Sequence, residues 1–522
     1  MKNIRKFLFN ALILCGVSLI MRTVSVSFNV YVAGTAGAEA MGLYSLLSGV
    51  YGFALTFASS GIRITTVRMV SGALGKGDPG RARAALRRCI VYSLFFSGLA
   101  TAWLFLGSGF IGRVLLSDER TVLSLRLLSL TLIPISLTSV FSGYFTAVRR
   151  VWKNAVIQMT EQAVRIFSVY FLLSLLLPRG IEFACAALAL GGAVAECGSF
   201  LLSLLAFLHD KKRNLVGGRP YVHTGSVTSE MLSTALPIAF SAYARSGLIS
   251  IEHMLIPIGL CKSGSSRQKA LAAYGTLQSM VLPILLFPSA LIGSFSGLLV
   301  PELTECCAQK NTRQIRYICE RVTQLALLFA VGVAGIMICF SSELGEVIYP
   351  GADTSRYIKL LAPLIPIMYI DTTVDSMLKG LGEQFYCMVV NILDSLLSVI
   401  LVWLLLPRMG IGGYILTIYI AELVNAALSV TRLVQKSGMI PRLIKWVGKP
   451  LICIVGATGM AHMLFCTVSL AALPGWLSLT VHIVVTVMIY VLLLIATCGF
   501  DRDDLLWAWR VLHRQKKSTS EP

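Results

Sequence analysis

The sequence predicts an all-α polytopic membrane protein with about 14 transmembrane helices. Three observations indicate this fold class. Of the 522 residues, 56% are hydrophobic and only 13% are charged, whereas a soluble domain is about a quarter charged. Apolar stretches long enough to cross a bilayer recur along the whole chain, and the short loops between them are alternately rich and poor in Lys and Arg. Most of the surface is therefore expected to face lipid.

The predicted spans follow one another with short loops between them. A helix needs about 20 apolar residues to cross the hydrocarbon core. The first apolar run is too long for the core of a signal peptide, and no small-residue cleavage site follows it, so it is interpreted as a span. The fourteen spans are 7–33, 41–72, 86–109, 122–148, 152–178, 184–208, 231–257, 271–299, 318–341, 357–379, 384–407, 411–431, 450–472 and 476–498.

Lys and Arg concentrate in every second loop, and the positive-inside rule places such loops in the cytoplasm. With fourteen spans, both termini are predicted to lie there as well. The net charge of +20 is attributed to these loops, and no nucleic-acid partner is expected. The basic outer loop 262–269 departs from the pattern. It either meets an anionic substrate or is a solvated loop, and the sequence leaves both interpretations open.

An internal repeat divides the chain. Residues 67–88 and 300–321 both run from a span through a polar break into a basic amphipathic segment, and LLLPRG at 175–180 is echoed by LLLPRM at 404–409. The two pairs occur in order at nearly one offset, which indicates two homologous six-helix halves. Because six is even, the halves are predicted to be parallel repeats. The predicted divisions are an N-terminal lobe 1–215, a C-terminal lobe 228–436, two extra helices within 448–498 and a cytoplasmic tail 499–522.

The sequence offers no reaction chemistry. It contains no Walker loop, no HExxH motif and no GxSxG motif. The six histidines do not cluster, and none of the thirteen cysteines forms a CxxC pair. No cofactor or metal site is predicted. A polytopic chain of this kind is expected to be a transporter rather than an enzyme.

Ionisable residues inside the apolar spans are the functional candidates, because a charge near mid-membrane costs several kcal/mol unless it faces water or a partner. Arg22 lies in the middle of the first span and indicates a polar cavity. Arg245 and Glu252 lie seven residues apart, on one face of span 7. The residues predicted to bind substrate in a central cavity are Arg22, Arg63, Arg245 and Glu252.

Two further pairs are spaced four residues apart, which places both members on one helix face. Asp371 and Asp375 in span 10 are predicted to bind a coupling cation, either Na⁺ or H⁺. Glu161 and Arg165 in span 5 carry opposite charges. They are interpreted as an intramembrane structural pair, with a functional site as the alternative.

Four segments resemble one known family. They are GLYSLLSGVYGFALTFASSGIRITTVRMVSGALGKGD at 42–78, TEQAVRI at 160–166, VPELTECCAQKN at 300–311 and LKGLGEQ at 378–384. Together they resemble the stage V sporulation protein B group. That group belongs to the polysaccharide-exporter branch of the multidrug/oligosaccharidyl-lipid/polysaccharide (MOP) exporter superfamily.

The resemblance implies two six-helix lobes that form a V around a central cavity, opening alternately to each side. It also implies a bacterial cytoplasmic membrane protein that moves undecaprenyl-linked sugar intermediates. In the related lipid II flippases, arginines of an R-x-x-G-x-x-R-D pattern meet the pyrophosphate. Arg22 matches the first Arg, whereas Ser25, Phe28 and Asn29 replace the Gly, the second Arg and the Asp. Only Arg22 carries over.

The function expected from this resemblance is export of an undecaprenyl-pyrophosphate-linked cell-wall or spore-cortex precursor, or of a polysaccharide unit, by alternating access. The expected partners are a lipid-linked oligosaccharide or lipid II-like substrate, membrane lipids and cell-wall synthesis proteins. A cation-coupled multidrug antiporter is the first alternative, with Asp371 and Asp375 as its coupling acids. A non-transporting membrane scaffold for wall synthesis is the second. Loss of function on neutralising Arg22 distinguishes a flippase from a scaffold.

Overall fold

The computed structural model describes residues 2–59, 61–214, 224–442, 444–467 and 474–497, and all regular structure within these ranges is helical. The predicted tail 499–522 lies outside the described residues. The helices of the first half are α1 Lys2–Ser59, α2 Ile62–Gly75, α3 Pro79–Phe110, α4 Thr121–Ser129, α5 Leu132–Ala147, α6 Val151–Leu176, α7 Ile181–Asn214, α8 Thr224–Lys262, α9 Arg267–Gly275 and α10 Leu282–Leu286.

The helices that follow are α11 Ser289–Ala308, α12 Thr312–Cys339, α13 Ser341–Ile348, α14 Thr354–Leu361, α15 Ile365–Gly380, α16 Gln384–Met409, α17 Ile411–Ser437, α18 Lys449–Thr467 and α19 Gly475–Ala496. α1 contains the first predicted span and the larger part of the second, which continues into α2, and the chain turns within α1 at Gly37. That residue has φ 83°, a conformation that glycine adopts without a steric penalty.

Twelve helical stretches in the described part of the chain are long and apolar enough to cross a membrane. One of them, 20–75, contains the turn at Gly37. α8 is not among the twelve, since polar side chains that include Arg245 and Glu252 lower its mean hydropathy. The chain is therefore an all-helical polytopic membrane protein, and the count of fourteen spans stays a prediction.

Local sequence explains where two of the basic helices begin. Asp78 accepts a hydrogen bond from the Arg81 backbone N–H at 2.8 Å and starts α3, with Pro79 in the first turn. Asn311 accepts from the Gln314 N–H at 3.1 Å and starts α12. Both are standard N-caps. The connection between α2 and α3 includes GKGDPG at 75–80, and its glycine spacing resembles that of a nucleotide-binding loop. Here it joins two helices rather than a strand and a helix, so it is not such a loop.

The chain forms two compact units. The first unit comprises Tyr31–Gly275 and Ser395–Tyr414, and its core packs α2, α3 and α5 around the fully buried Tyr144 and Phe145. The second unit comprises Met1–Val30, Thr276–Asp394 and Ile415–Pro522.

α12, α18 and α19 pack together in the second unit, where the Tyr490 hydroxyl donates to the Leu328 carbonyl at 2.7 Å. The two compact units are defined by contacts in space, whereas the lobes 1–215 and 228–436 are predicted from a repeat in the sequence. The units therefore do not test the lobes, which remain a prediction.

Candidate functional site

The three arginines predicted to bind substrate lie within helices and have no counter-charge among the described residues. Arg22 is on α1, Arg63 is in the first turn of α2 and Arg245 is near the middle of α8, and all three side chains are exposed. Among the described residues, none of the three forms an ion pair or a hydrogen bond through its side chain. Arg63 is additionally disfavoured by the positive end of the α2 dipole. These guanidinium groups therefore remain available to an anion or to water.

Hydrogen bonds fasten α8 to α1 on either side of Arg245. The Tyr243 hydroxyl donates to the Phe57 carbonyl at 3.2 Å, and the Ser250 hydroxyl donates to the Gly49 carbonyl at 2.6 Å. Because these two contacts fix the rotation of α8 within the first unit, they also set the direction in which Arg245 projects.

The other predicted substrate residues are distributed over both units. Glu252 is half-buried two residues after Ser250, close enough to Tyr274 and Tyr414 for its charge to act on their hydroxyls. Arg63, Arg245 and Glu252 belong to the first unit, whereas Arg22 belongs to the second, where its charge acts on the Tyr369 hydroxyl.

Glu161 and Arg165 form an ion pair, and a third charged residue joins them. Arg165 Nη2 lies 2.9 Å from Glu161 Oε1 and 2.8 Å from Glu196 Oε1. The Ser199 hydroxyl donates to the other Glu161 oxygen at 3.1 Å. The charged triad Glu161–Arg165–Glu196 therefore links α6 to α7. The sequence indicated the pairing of Glu161 with Arg165 but did not show that Glu196 shares the guanidinium.

The two predicted coupling acids have different surroundings. Asp375 is held by Lys379 at 2.6 Å on the same helix. Asp371 accepts a hydrogen bond from the Asn425 amide of α17 at 3.1 Å. Glu422 lies within electrostatic range of both Asp371 and Asp394. Asp371 thus belongs to an acidic group with Asp394 of α16 and Glu422 of α17, and all three acids lie in the second unit.

A charged network occupies the loop ends of the first unit. Arg120 binds Asp118 at 2.8 Å and Glu39 at 3.0 Å. Gln268 donates to Glu39 at 2.8 Å, and Arg267 contacts Asp118 at 3.5 Å. This Arg120 network accounts for Arg267, the middle basic residue of loop 262–269, because Arg267 pairs with the carboxylate of Asp118. Nothing in the loop's sequence indicated these partners, which are distant along the chain.

Electrostatics favours the ionised form of Asp118. Burial by itself would raise the pKa of this carboxyl group. Hydrogen bonds and charge from Arg120, together with the charge of Arg267, outweigh burial and hold its pKa below the ordinary value. The network is therefore expected to stay fully charged at neutral pH.

Metal binding receives no support in the part of the chain that the structure describes. No group of three or more His, Cys, Asp or Glu side chains there is arranged to hold a metal ion.

Comparison with known families decides what kind of protein carries these groups. The family model described as "Polysaccharide biosynthesis protein" matches residues 7–303, more than half of the chain. The chain belongs to the polysaccharide biosynthesis protein family. A second model, described as "MatE", matches residues 262–404. This family is one of MOP-superfamily transporters rather than enzymes.

Individual relatives agree with membership of this transporter family. The chain is 25% identical to stage V sporulation protein B of Bacillus subtilis (strain 168) over 511 residues, which covers 96% of the chain and 97% of the relative. It is 22% identical to the lipid II flippase MurJ of the same organism over 439 residues, covering 78% of each.

Solved structures of family relatives show the fold. The lipid II flippase MurJ in an inward closed conformation superposes with TM-score 0.69 at 13% identity, covering 92% of this chain and 98% of that one. An inward-facing multidrug MATE transporter of the MOP superfamily superposes with TM-score 0.63 at 13% identity, covering 82% and 100%. The protein therefore has the MATE/MurJ fold and is a multi-pass membrane transporter with sporulation-related homologues.

Proposed function

We propose that this family member is a flippase that exports an undecaprenyl-pyrophosphate-linked cell-wall or spore-cortex precursor, or a polysaccharide unit, across the bacterial cytoplasmic membrane by alternating access. The proposal includes fourteen transmembrane helices with both termini in the cytoplasm. Lobes 1–215 and 228–436 are two parallel six-helix repeats, followed by two extra helices within 448–498. The partners are the lipid-linked substrate, membrane lipids and wall-synthesis proteins.

The observation that carries the proposal is that the three predicted substrate arginines have no carboxylate partner among the described residues. An Arg at the centre of a membrane helix costs about 3 kcal/mol on insertion scales unless its charge is compensated. Arg22 and Arg245 lie well inside their helices, Arg63 lies in the first turn of α2, and the described residues offer none of the three an ion pair. A transported anion would provide the missing compensation.

A pyrophosphate suits these side chains chemically. Guanidinium groups are planar, stay charged and bind phosphate oxygens through two parallel hydrogen bonds. We assign Arg22, Arg63 and Arg245 to the pyrophosphate. Glu252 is assigned to the polar sugar part of the substrate, whose hydroxyl groups donate hydrogen bonds to a carboxylate. The names of the relatives, which include a lipid II flippase, agree with this substrate class.

Coupling to a cation is assigned to Asp371 rather than to Asp375. The Lys379 ammonium already neutralises Asp375. Asp371 instead shares the second unit with two further acids, Glu422 and Asp394. Such a group reduces its mutual repulsion by binding H⁺ or Na⁺.

Direct binding tests the substrate class. The purified protein in nanodiscs is analysed by native mass spectrometry with undecaprenyl pyrophosphate and with undecaprenol, which lacks the phosphates. We expect the wild type to retain undecaprenyl pyrophosphate in preference to undecaprenol. Each of Arg22→Ala, Arg63→Ala and Arg245→Ala should reduce this preference at least several-fold. Arg68→Ala, on the same helix as Arg63 and also exposed, is the matched control. Equal binding of both lipids by the wild type would contradict the proposal.

Complementation tests the activity in cells. The chain is expressed in a bacterium depleted of its own lipid II flippase, with insertion confirmed by a C-terminal tag. Rescue that disappears with Arg22→Ala would identify lipid II-like precursors as cargo. Binding of undecaprenyl pyrophosphate without rescue would leave a different lipid-linked sugar as the cargo.

The multidrug antiporter is the second candidate function, because the MatE model matches 262–404 and because the second unit contains the acidic group around Asp371. It predicts resistance to organic cations that is lost with Asp371→Asn. Unpartnered arginines repel such cargo, which favours the flippase. Drug resistance without binding of undecaprenyl pyrophosphate would reverse this choice.

A further inference from the structure

The charged triad Glu161–Arg165–Glu196 places two carboxylates on a single guanidinium nitrogen. Arg165 Nη2 is within 3.0 Å of one oxygen from each acid, at 2.9 Å and 2.8 Å. All three side chains lie away from the ends of their helices, α6 Val151–Leu176 and α7 Ile181–Asn214. They are only partly accessible, with exposed fractions of 22%, 31% and 16% in chain order.

Charge neutrality is incomplete in this arrangement. With both acids ionised, the triad has two negative charges and one positive charge. An uncompensated charge inside a membrane protein costs several kcal/mol. Two carboxylates that share one site avoid this cost by holding a proton between them. The Ser199 hydroxyl, 3.1 Å from Glu161 Oε2, stabilises the ionised form of Glu161 and leaves Glu196 as the better acceptor of the proton.

The surrounding groups do not supply the missing positive charge. Among the described residues outside α6 and α7, Tyr44 and Tyr51 of α1 are titratable groups close enough for the charges of Arg165 and Glu196 to act on them. Cys197 is next to Glu196 on α7. These groups are neutral when protonated, so Arg165 is the single cation at this site among the described residues. The described part of the chain also lacks a three-acid metal site here, which favours a proton over a metal ion.

We propose that Glu196 and Glu161, held together by Arg165, bind one proton in exchange with water and form a titratable site in the first unit. This site is separate from the acidic group around Asp371 in the second unit. Its use in transport rests on the proposed function, whereas proton binding itself does not. Protonation would make the triad neutral, and deprotonation would restore its net charge of minus one.

Infrared difference spectroscopy tests the proposal. Spectra of the full-length protein in nanodiscs are recorded between pH 8 and pH 6, a range in which ordinary carboxyl groups remain ionised. We expect the wild type to gain a protonated-carboxyl band. Glu196→Gln and Glu161→Gln should each lose part of this band, whereas Glu182→Gln, in the first turn of α7, should retain it. A band of equal size in all four proteins would overturn the proposal.

A conservative variant provides a test that still applies if the Gln variants misfold. Glu196→Asp keeps a carboxyl group and should keep a protonated band, shifted in frequency or titration midpoint. If the Gln variants fail to fold, an unshifted band in Glu196→Asp would also overturn the proposal. Thermal unfolding of each variant supplies the folding control. Because the spectra are recorded without cargo, failure of the substrate experiments would leave this result unaffected, and the reverse also holds.

Discussion

Lys153 and Asp210 join the start of α6 to the end of α7, with Lys153 Nζ 2.8 Å from Asp210 Oδ1. Arg150 contacts the same oxygen, and the Asp210 side chain is only 1% exposed. A carboxylate this deeply buried depends on both cations. In the second unit, Glu383 has a comparable pair of partners, Arg432 and Lys436, but is 15% exposed.

Asp210→Asn is therefore expected to cost more stability than Glu383→Gln. The first variant leaves two cations beside a buried neutral amide, for which about 3 kcal/mol is typical. The second variant leaves its cations with better access to water, so about 1 kcal/mol is expected. Thermal unfolding in one detergent measures both. Equal losses of stability in the two variants, or a greater loss in Glu383→Gln, would contradict the prediction that burial of the carboxylate determines the cost.

The Arg120 network predicts a second difference between matched variants. Arg120 is shared between two acids of low exposure, Asp118 at 6% and Glu39 at 15%. Arg113 instead pairs with Glu119, and their side chains are 68% and 74% exposed. Ion pairs between such exposed groups contribute about 0–1 kcal/mol.

Arg120→Ala should lower stability by about 2 kcal/mol, since it removes several charge-assisted hydrogen bonds at once. Arg113→Ala should leave stability nearly unchanged. Limited proteolysis provides a second measurement, with faster cleavage in the loops around Asp118 expected only for Arg120→Ala. If the two variants unfold at the same temperature, the network is not a stabilising feature.

Lowering the pH should remove the contribution that the ionised Asp118 side chain makes to folding stability. Its folded-state pKa lies below the ordinary value, because Arg120 and Arg267 outweigh the effect of burial. The stabilisation is therefore complete above the unfolded-state pKa of about 4 and is lost as the pH falls through the lower folded-state value.

The unfolding temperature of Asp118→Asn is expected to lie below that of the wild type at pH 7, and the difference should shrink below about pH 4. Scans from pH 7 to pH 3 measure this convergence. Glu383→Gln serves as a comparison, since hydrogen bonds from Lys436 and then Arg432 likewise lower the pKa of Glu383. A constant difference between wild type and Asp118→Asn over the whole range would contradict the prediction.

The sequence predicted the helical membrane fold and the ion pair within one helix, because both depend on local patterns. Apolar runs of sufficient length specify spans, and a spacing of four specifies the contact between Glu161 and Arg165. It did not predict that Glu196 shares Arg165 or that Asn425 binds Asp371. Those contacts depend on helix rotation and packing, which periodicity alone does not determine.

Backbone geometry also supports the proposed repeat more strongly than residue identity does. Gly77 and Lys310 both have positive φ, 71° and 54°, and each immediately precedes the N-cap of the next helix, Asp78 or Asn311. The same turn thus recurs at the offset that relates 67–88 to 300–321. The sequences of the two turns differ, KGD against QKN, so the correspondence was weak until the backbone was known.

Replacing Lys310 by glycine and Gly77 by alanine is expected to change stability in opposite directions. A non-glycine residue in the left-handed region costs about 1–2 kcal/mol, while glycine loses about 0.5–1 kcal/mol more backbone entropy on folding than alanine does. Lys310→Gly should therefore raise stability by about 0.5–1 kcal/mol, and Gly77→Ala should lower it by a similar amount. Neither change removes a side-chain hydrogen bond, because the caps are Asn311 and Asp78.

Thermal unfolding of the two variants measures these changes. Lys310→Ala is the control, since it keeps the left-handed strain but removes the charge, and it separates the backbone effect from the loss of a lysine. Stabilisation by Lys310→Ala equal to that by Lys310→Gly would show that charge rather than conformation is responsible.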